Sequence, residues 1–289
     1  MTTPYCTLAQ AKLELRADTT VADDTLMSRI QAVSARIDGL FSSRSAYFAP
    51  TIETRTIIVR GDLTDSYLNT LRLPAPLLEL TGITLNGTSL TPSTDVAAYP
   101  SALYPVWELR LKDTGNTWFT RASNTADYPR PIAAVTGIWG YHENYTTAWA
   151  AVDVASAIAS TSATTFTVAD VDGDDPWGTA PRISRGALLK IDSEFMEVAD
   201  TATTTNTVTV RRGVNGSTAA THSASAPVSV WQVEPNVNRA CIRQAALLMA
   251  RRGSFEASVF TEVGTNITYP QDLLAELRGA LQTYVYSGL

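Results

Sequence analysis

Cysteine and histidine are scarce, with two of each in 289 residues. Cys6 and Cys241 lie far apart, and two cysteines do not make a disulfide framework. Cys241, on the apolar side of a predicted helix, reads as a small buried hydrophobe, and assembly under reducing conditions fits. Cys6, Cys241, His142 and His222 show no paired ligand spacing, so zinc is not expected. Charge is sparse as well: charged residues make up 17% and the formal net charge is -6. A protein that grips nucleic acid carries a basic footprint, and none is visible. No apolar run approaches the roughly 20 residues that span a bilayer. The N-terminus lacks the basic-then-apolar pattern of a secretory signal. There is no phosphate-binding glycine loop, no nucleophile elbow and no repeat of solenoid period.

What is present is a core-forming hydrophobic share of 45% in a chain rich in Thr, Ala and Ser. Thr7 and Gln10 have capping-box spacing at the start of a short helix. Asp23 or Asp24 caps a second, in which Leu26, Ile30, Val33, Ile37 and Leu40 recur at helical steps. Strand signals follow at Thr56–Val59, Leu71–Leu73, Leu80–Leu90 with an Asn86-Gly87 hairpin cue, Val106–Leu111, Trp118-Phe119 and Ile132–Tyr141. Pro74 and Pro76 are expected to interrupt regular structure. Residues 146–163 read as a linker with a poor helix. Short strands at Thr165–Val168, Leu188–Ile191, Phe195–Val198, Thr207–Arg211 and Val228–Val233 predict a compact barrel or sandwich. Helix returns at Pro235, with Val237, Cys241, Ala245 and Leu248 on one face and Gly253 as C-cap. Pro270 opens a last helix.

Four stretches in order carry a family likeness. They are the helical pair Leu8–Leu15 and Leu26–Leu40; Leu73–Leu80 running into Ile83–Leu90; Trp118 through Val135-Thr-Gly-Ile-Trp-Gly-Tyr141; and Glu234–Arg252. With the middle removed, these resemble a bacteriophage head–tail connector (adaptor) protein. The middle, Gly186–Val198 with Asn206–Ser217 and His222, resembles a β module that recurs in phage head and tail proteins. The resemblance implies an α+β fold. Residues 1–145 and 234–289 would form a connector domain, its N- and C-terminal helices bundled beside a small antiparallel sheet. Residues 146–233 would be an inserted linker and all-β module. It also implies a structural virion subunit and no enzyme: a homomeric ring, dodecameric in this family, assembled in the host cytoplasm beneath the portal protein. Viral double-stranded DNA would pass through without sequence-specific binding, and downstream neck or tail proteins would dock below. No cofactor and no membrane are implied. A tail-side neck or decoration protein is the first rival. A glycan-acting hydrolase using Asp192, Glu194 and Glu197 is the second, although a solvated hairpin edge explains those carboxylates more simply.

Other residues invite specific roles. Asp170, Asp172 and Asp174 have the spacing of the first three ligands of a calcium loop. The loop then has Asp175 where glycine is needed and Pro181 where a bidentate glutamate is needed, so a solvated acidic turn is expected. Trp149, in a polar Thr/Ala segment, is a candidate interface anchor. The connector resemblance makes the C-terminal Tyr284, Val285, Tyr286 and Leu289 a candidate portal-docking segment. His142 and His222 are expected to be structural hydrogen-bonding residues.

Overall fold

The computed structural model describes residues 3–15, 22–41, 47–59, 69–112, 132–175, 178, 180–250, 259–260, 266–267 and 284. In chain order the helices are α1 (Leu8–Glu14), α2 (Asp23–Phe41), α3 (Tyr145–Ala148) and α4 (Pro235–Ala250). The strands are β1 (Thr51–Ile58), β2 (Thr70–Leu85), β3 (Thr88–Leu90), β4 (Val96–Tyr99), β5 (Val106–Leu111), β6 (Ile132–Trp139), β7 (Trp149–Ala155), β8 (Thr165–Thr167), β9 (Leu188–Ile191), β10 (Glu194–Ala202), β11 (Thr207–Arg211) and β12 (Ala226–Trp231). Two further two-residue strands, β13 (Val259–Phe260) and β14 (Asn266–Ile267), pair with each other. The expected helical-bundle α+β connector fold is therefore corrected. The protein is mostly β, built on two antiparallel sheets of six strands each. The last predicted helix, the Gly253 cap and the Trp118-Phe119 strand lie outside the described residues.

Two features set the structure apart from that expectation. β2 is one long strand that runs through Pro74 and Pro76. Its pairing with β5 shifts register between Arg72 and Leu77, so neither proline has to donate a ladder hydrogen bond there. β7 arises in the Ala/Thr segment assigned to a linker. Its weak local preference for strand is overridden by a full antiparallel partner, β12, from Trp149↔Trp231 to Ala155↔Ala226.

The chain divides into two compact units. One comprises residues 47–148 with 215–217. Its sheet has the order β1-β6-β2-β5-β4, with β3 paired to β2. Leu71, Leu77, Leu109, Ala133, Val135 and Trp139 form its core, all buried. The Asn86-Gly87 turn is realised with φ of 50° and 85°, as the hairpin cue required.

The other unit comprises residues 1–46, 149–214 and 218–289. Thr7 and Gln10 form the capping box in full: the Gln10 amide donates to Thr7 Oγ1 (3.3 Å) and the Thr7 amide to Gln10 Oε1 (2.9 Å). Leu26, Ile30, Val33 and Ile37 of α2 and Val237, Cys241 and Ala245 of α4 are buried where these helices meet. The β segment of this unit has the order β7-β12-β9-β10-β11-β8. An Ala155↔Val168 bridge joins the two ends, and the Ser156 amide donates to the Thr167 carbonyl (2.8 Å). The sheet thus curls into a barrel whose first and last strands meet at this one point. Alternate side chains point inward: Leu189 and Ile191, Met196 and Val198, Val208 and Val210, Val228 and Val230. Burying such a side chain contributes roughly 1.5–3 kcal/mol.

Candidate functional site

The most concentrated polar chemistry in the described residues lies at one end of this barrel. The β9–β10 hairpin turns through Asp192 and Ser193, with Asp192 at φ 52°. Glu194 follows at the first position of β10, in step with inward-facing Met196 and Val198, and is fully buried. Such a carboxylate must be neutralised or paired. The segment after β11 brings the partners back to it. Arg212 Nε donates to Glu194 Oε1 (2.6 Å) and Nη2 to Oε2 (2.7 Å), a bidentate fork. The Gly213 amide donates to Oε1 (3.1 Å) and the Ala220 amide to Oε2 (2.9 Å). His222 Nε2 lies 2.8 Å from Oε2, and its Nδ1 lies 2.7 Å from Asp192 Oδ2. Arg212 spends its other donors on the carbonyls of Ser160 (3.3 Å), Ala163 (2.8 Å) and Ala220. The His222 backbone is held in turn by Ile158, through a reciprocal amide–carbonyl pair at 2.9 and 3.0 Å.

Burial pushes the Glu194 carboxyl up, but the Arg212 fork, the Ala220 amide and His222 outweigh it and hold the group at about 2. Glu194 is therefore ionised, saturated and sealed from solvent. It cannot present a proton to a substrate, and its role is to lock three loops around one carboxylate. The expected solvated hairpin edge is wrong for this residue. Glu197 is also buried, on the opposite face of β10, and pairs with Arg211 across the β10–β11 ladder. There burial outweighs Arg211 and the carboxyl is raised. Asp192 stays exposed and touches Glu194 only through His222. The three proposed hydrolase carboxylates thus do not share an open cleft. His142 has a local structural role, its Nδ1 accepting from the Asn144 amide (2.9 Å).

The acidic loop is used internally. Asp170 Oδ1 accepts from the Gly173 amide (2.9 Å), and Oδ2 lies 3.3 Å from Arg182 Nη2. The Gly173 hydrogen bond lowers the Asp170 carboxyl against the opposing effect of burial, and Arg182 adds to the lowering. Arg182 also lies 3.7 Å from Asp153 Oδ2, so the loop already holds a cation. Among the described residues no group of three or more His, Cys, Asp or Glu is disposed to hold a metal ion. Millimolar calcium is accordingly expected to shift the melting temperature by less than about 1 °C, and D170N to lose stability with or without it. A calcium-dependent rise of several degrees that D170N abolishes would restore the cation site.

Trp149 is engaged within its own unit. Its ring stacks on Phe195 (centroids 5.3 Å apart, 28° between planes) and meets Trp231 edge-on (5.1 Å). Lys190 Nζ lies 5.4 Å above it. The ring is half-buried, and its Nε1 is buried with no hydrogen-bond partner among the described residues. Tyr284 is buried too, its hydroxyl accepting from Asn236 Nδ2 (2.9 Å). Val285, Tyr286 and Leu289 lie outside the described residues. No helix among the described residues is long and apolar enough to cross a membrane.

Compared with known proteins, the chain matches no family model, no curated protein and no solved structure.

Proposed function

We propose that this chain is a structural virion subunit of the head–tail connector type, non-enzymatic and assembled as a homomeric ring beneath a portal protein. The helical bundle first expected of such a subunit is not carried into the proposal. One observation supports the reading above others. The stretch that resembles the phage β module, Gly186–Val198 with Asn206–Ser217 and His222, supplies the barrel hairpin and its lock, Glu194, Arg212, Gly213 and His222. Its buried charges Glu194 and Arg212 hold loops together, as a load-carrying module needs, and do not line an open cleft. The net charge of -6 adds to this, since a channel through which DNA slides gains from not gripping phosphates. Neck or tail proteins would dock on the ring, with assembly in the host cytoplasm and residence at the head–tail interface.

The test is mass measurement and negative-stain imaging of the protein alone and mixed with its cognate portal ring. A coaxial ring stacked on the portal is the expected result. Binding to tail components with no portal association would overturn it in favour of a tail-side part. Tight DNA binding by the assembled ring, weakening steeply with salt, would count against the channel assignment.

A further inference from the structure

Cys6 and Cys241 are 235 residues apart in sequence, yet their sulfurs lie 3.4 Å from each other, both side chains buried. Cys6 sits just before α1, and Cys241 lies on the buried face of α4. Cys6 Sγ donates to Cys241 Sγ, which also lies 3.5 Å from Ser34 Oγ of α2. A disulfide needs sulfurs about 2.05 Å apart, so closure requires an approach of about 1.4 Å. Side-chain rocking supplies a movement of that size. Cys6 is also reachable: it is among the residues lining a cavity of about 250 Å³, with Gln10, Arg182, Trp231 and Asn238. That volume admits a molecule the size of hydrogen peroxide.

We propose that Cys6 and Cys241 form an oxidation site that closes to a disulfide when the protein meets a hydroperoxide, tying the segment before α1 to α4. Cys6 lines the cavity, so its sulfur meets the peroxide, and Cys241, 3.4 Å away, resolves. Cys6 sulfur attacks one peroxide oxygen, the O–O bond breaks, and a sulfenic acid and one water result. Cys241 sulfur then displaces the hydroxyl from Cys6. The S–S bond forms, the second thiol proton leaves with the hydroxyl as a second water, and the peroxide has taken both electrons. The cross-link closes a very long loop, which constrains the unfolded chain strongly. A subunit assembled under reducing conditions would gain this staple only on release into an oxidising medium. The chemistry of the pair does not depend on the connector assignment.

The experiment treats the full-length protein with hydrogen peroxide and counts free thiols after denaturation. Both thiols should disappear, a Cys6–Cys241 peptide should appear in non-reducing mass spectrometry, and the melting temperature should rise by roughly 5–10 °C. Dithiothreitol should reverse all three. C6S and C241S should each show no intramolecular cross-link and no rise. Two persistent thiols, a sulfinic acid without cross-link, or disulfide-linked dimers would each overturn the proposal. The mass measurement on the unsubstituted protein decides it even if a variant fails to fold.

Discussion

Replacing Glu194 with glutamine should cost about 3–5 kcal/mol of stability, although the two side chains are nearly isosteric. The carboxylate accepts two bonds from Arg212, one each from the Gly213 and Ala220 amides, and contacts His222 Nε2. Glutamine turns one oxygen into an NH₂ group facing donors. It also leaves the Arg212 guanidinium, itself almost fully buried, without a counter-charge. A buried charge stripped of its partner is far more costly than the intact pair was stabilising. Arg212→Met should therefore be similarly damaging, and the double variant E194M/R212M should lose clearly less than the two single losses combined. Urea unfolding followed by far-UV circular dichroism measures all of these. A loss below about 1 kcal/mol in E194Q would remove the lock from the account.

The same carboxylate sets an acid limit. Its folded-state value is about 2, below its ordinary value of 4.5. A lowered carboxyl contributes stability that is fully present above the unfolded value and lost as pH falls through the folded one. The barrel should therefore weaken from about pH 4.5 down to about pH 2, and E194Q should lack that component of the slope. Glu197, whose carboxyl is raised, acts with the opposite sign. Its contribution is present when protonated and fades as pH rises through its folded value. Unchanged acid sensitivity in E194Q would show that other carboxylates govern the transition.

The parts of this fold that are local in sequence were legible. The Thr7/Gln10 capping box, the Asn86-Gly87 hairpin and the alternation of β9, β10 and β11 each depend on residues within a few positions of one another. Elements fixed by distant partners were not. β2 passes two prolines because its neighbours tolerate a register break, and β7 is a strand because β12 lies beside it. Glu194 was misjudged for the same reason, since its partners lie 18 to 28 residues away. A signal was nonetheless available. Period two places Glu194 on one face with Met196 and Val198, inside an apolar run, where a carboxylate demands a buried cation. Arg212, followed by Gly213, was a nearby candidate. The meeting of Cys6 and Cys241 had no such signal, because it depends on how α1 and α4 pack.

Gly216→Ala should be much more damaging than Gly87→Ala, although both glycines end Asn-Gly turns at similar φ, +77° and +85°. Alanine at either site incurs the left-handed backbone penalty of roughly 1–2 kcal/mol. At Gly87 nothing lies within 4 Å of the added methyl, so that penalty is the whole cost. At Gly216 the methyl would fall 1.9 Å from the Ile52 carbonyl oxygen, a backbone atom that cannot swing aside. The turn would have to lift away from β1. It would then lose the bond from the Ile52 amide to the Asn215 carbonyl (2.8 Å) and that from Asn215 Nδ2 to the Pro50 carbonyl (3.0 Å). Each is worth about 0.5–1.5 kcal/mol, which brings G216A to roughly 2–5 kcal/mol. Asn215→Ala should lose about 1–2 kcal/mol, because it removes one of those bonds and puts alanine at a left-handed φ of 51° that asparagine tolerates better, without adding the clash. Denaturant unfolding of the three variants side by side measures the differences. Equal losses for G216A and G87A would mean that the 215–217 turn does not rest on β1, and would return those residues from the sheet unit to the barrel that flanks them in sequence.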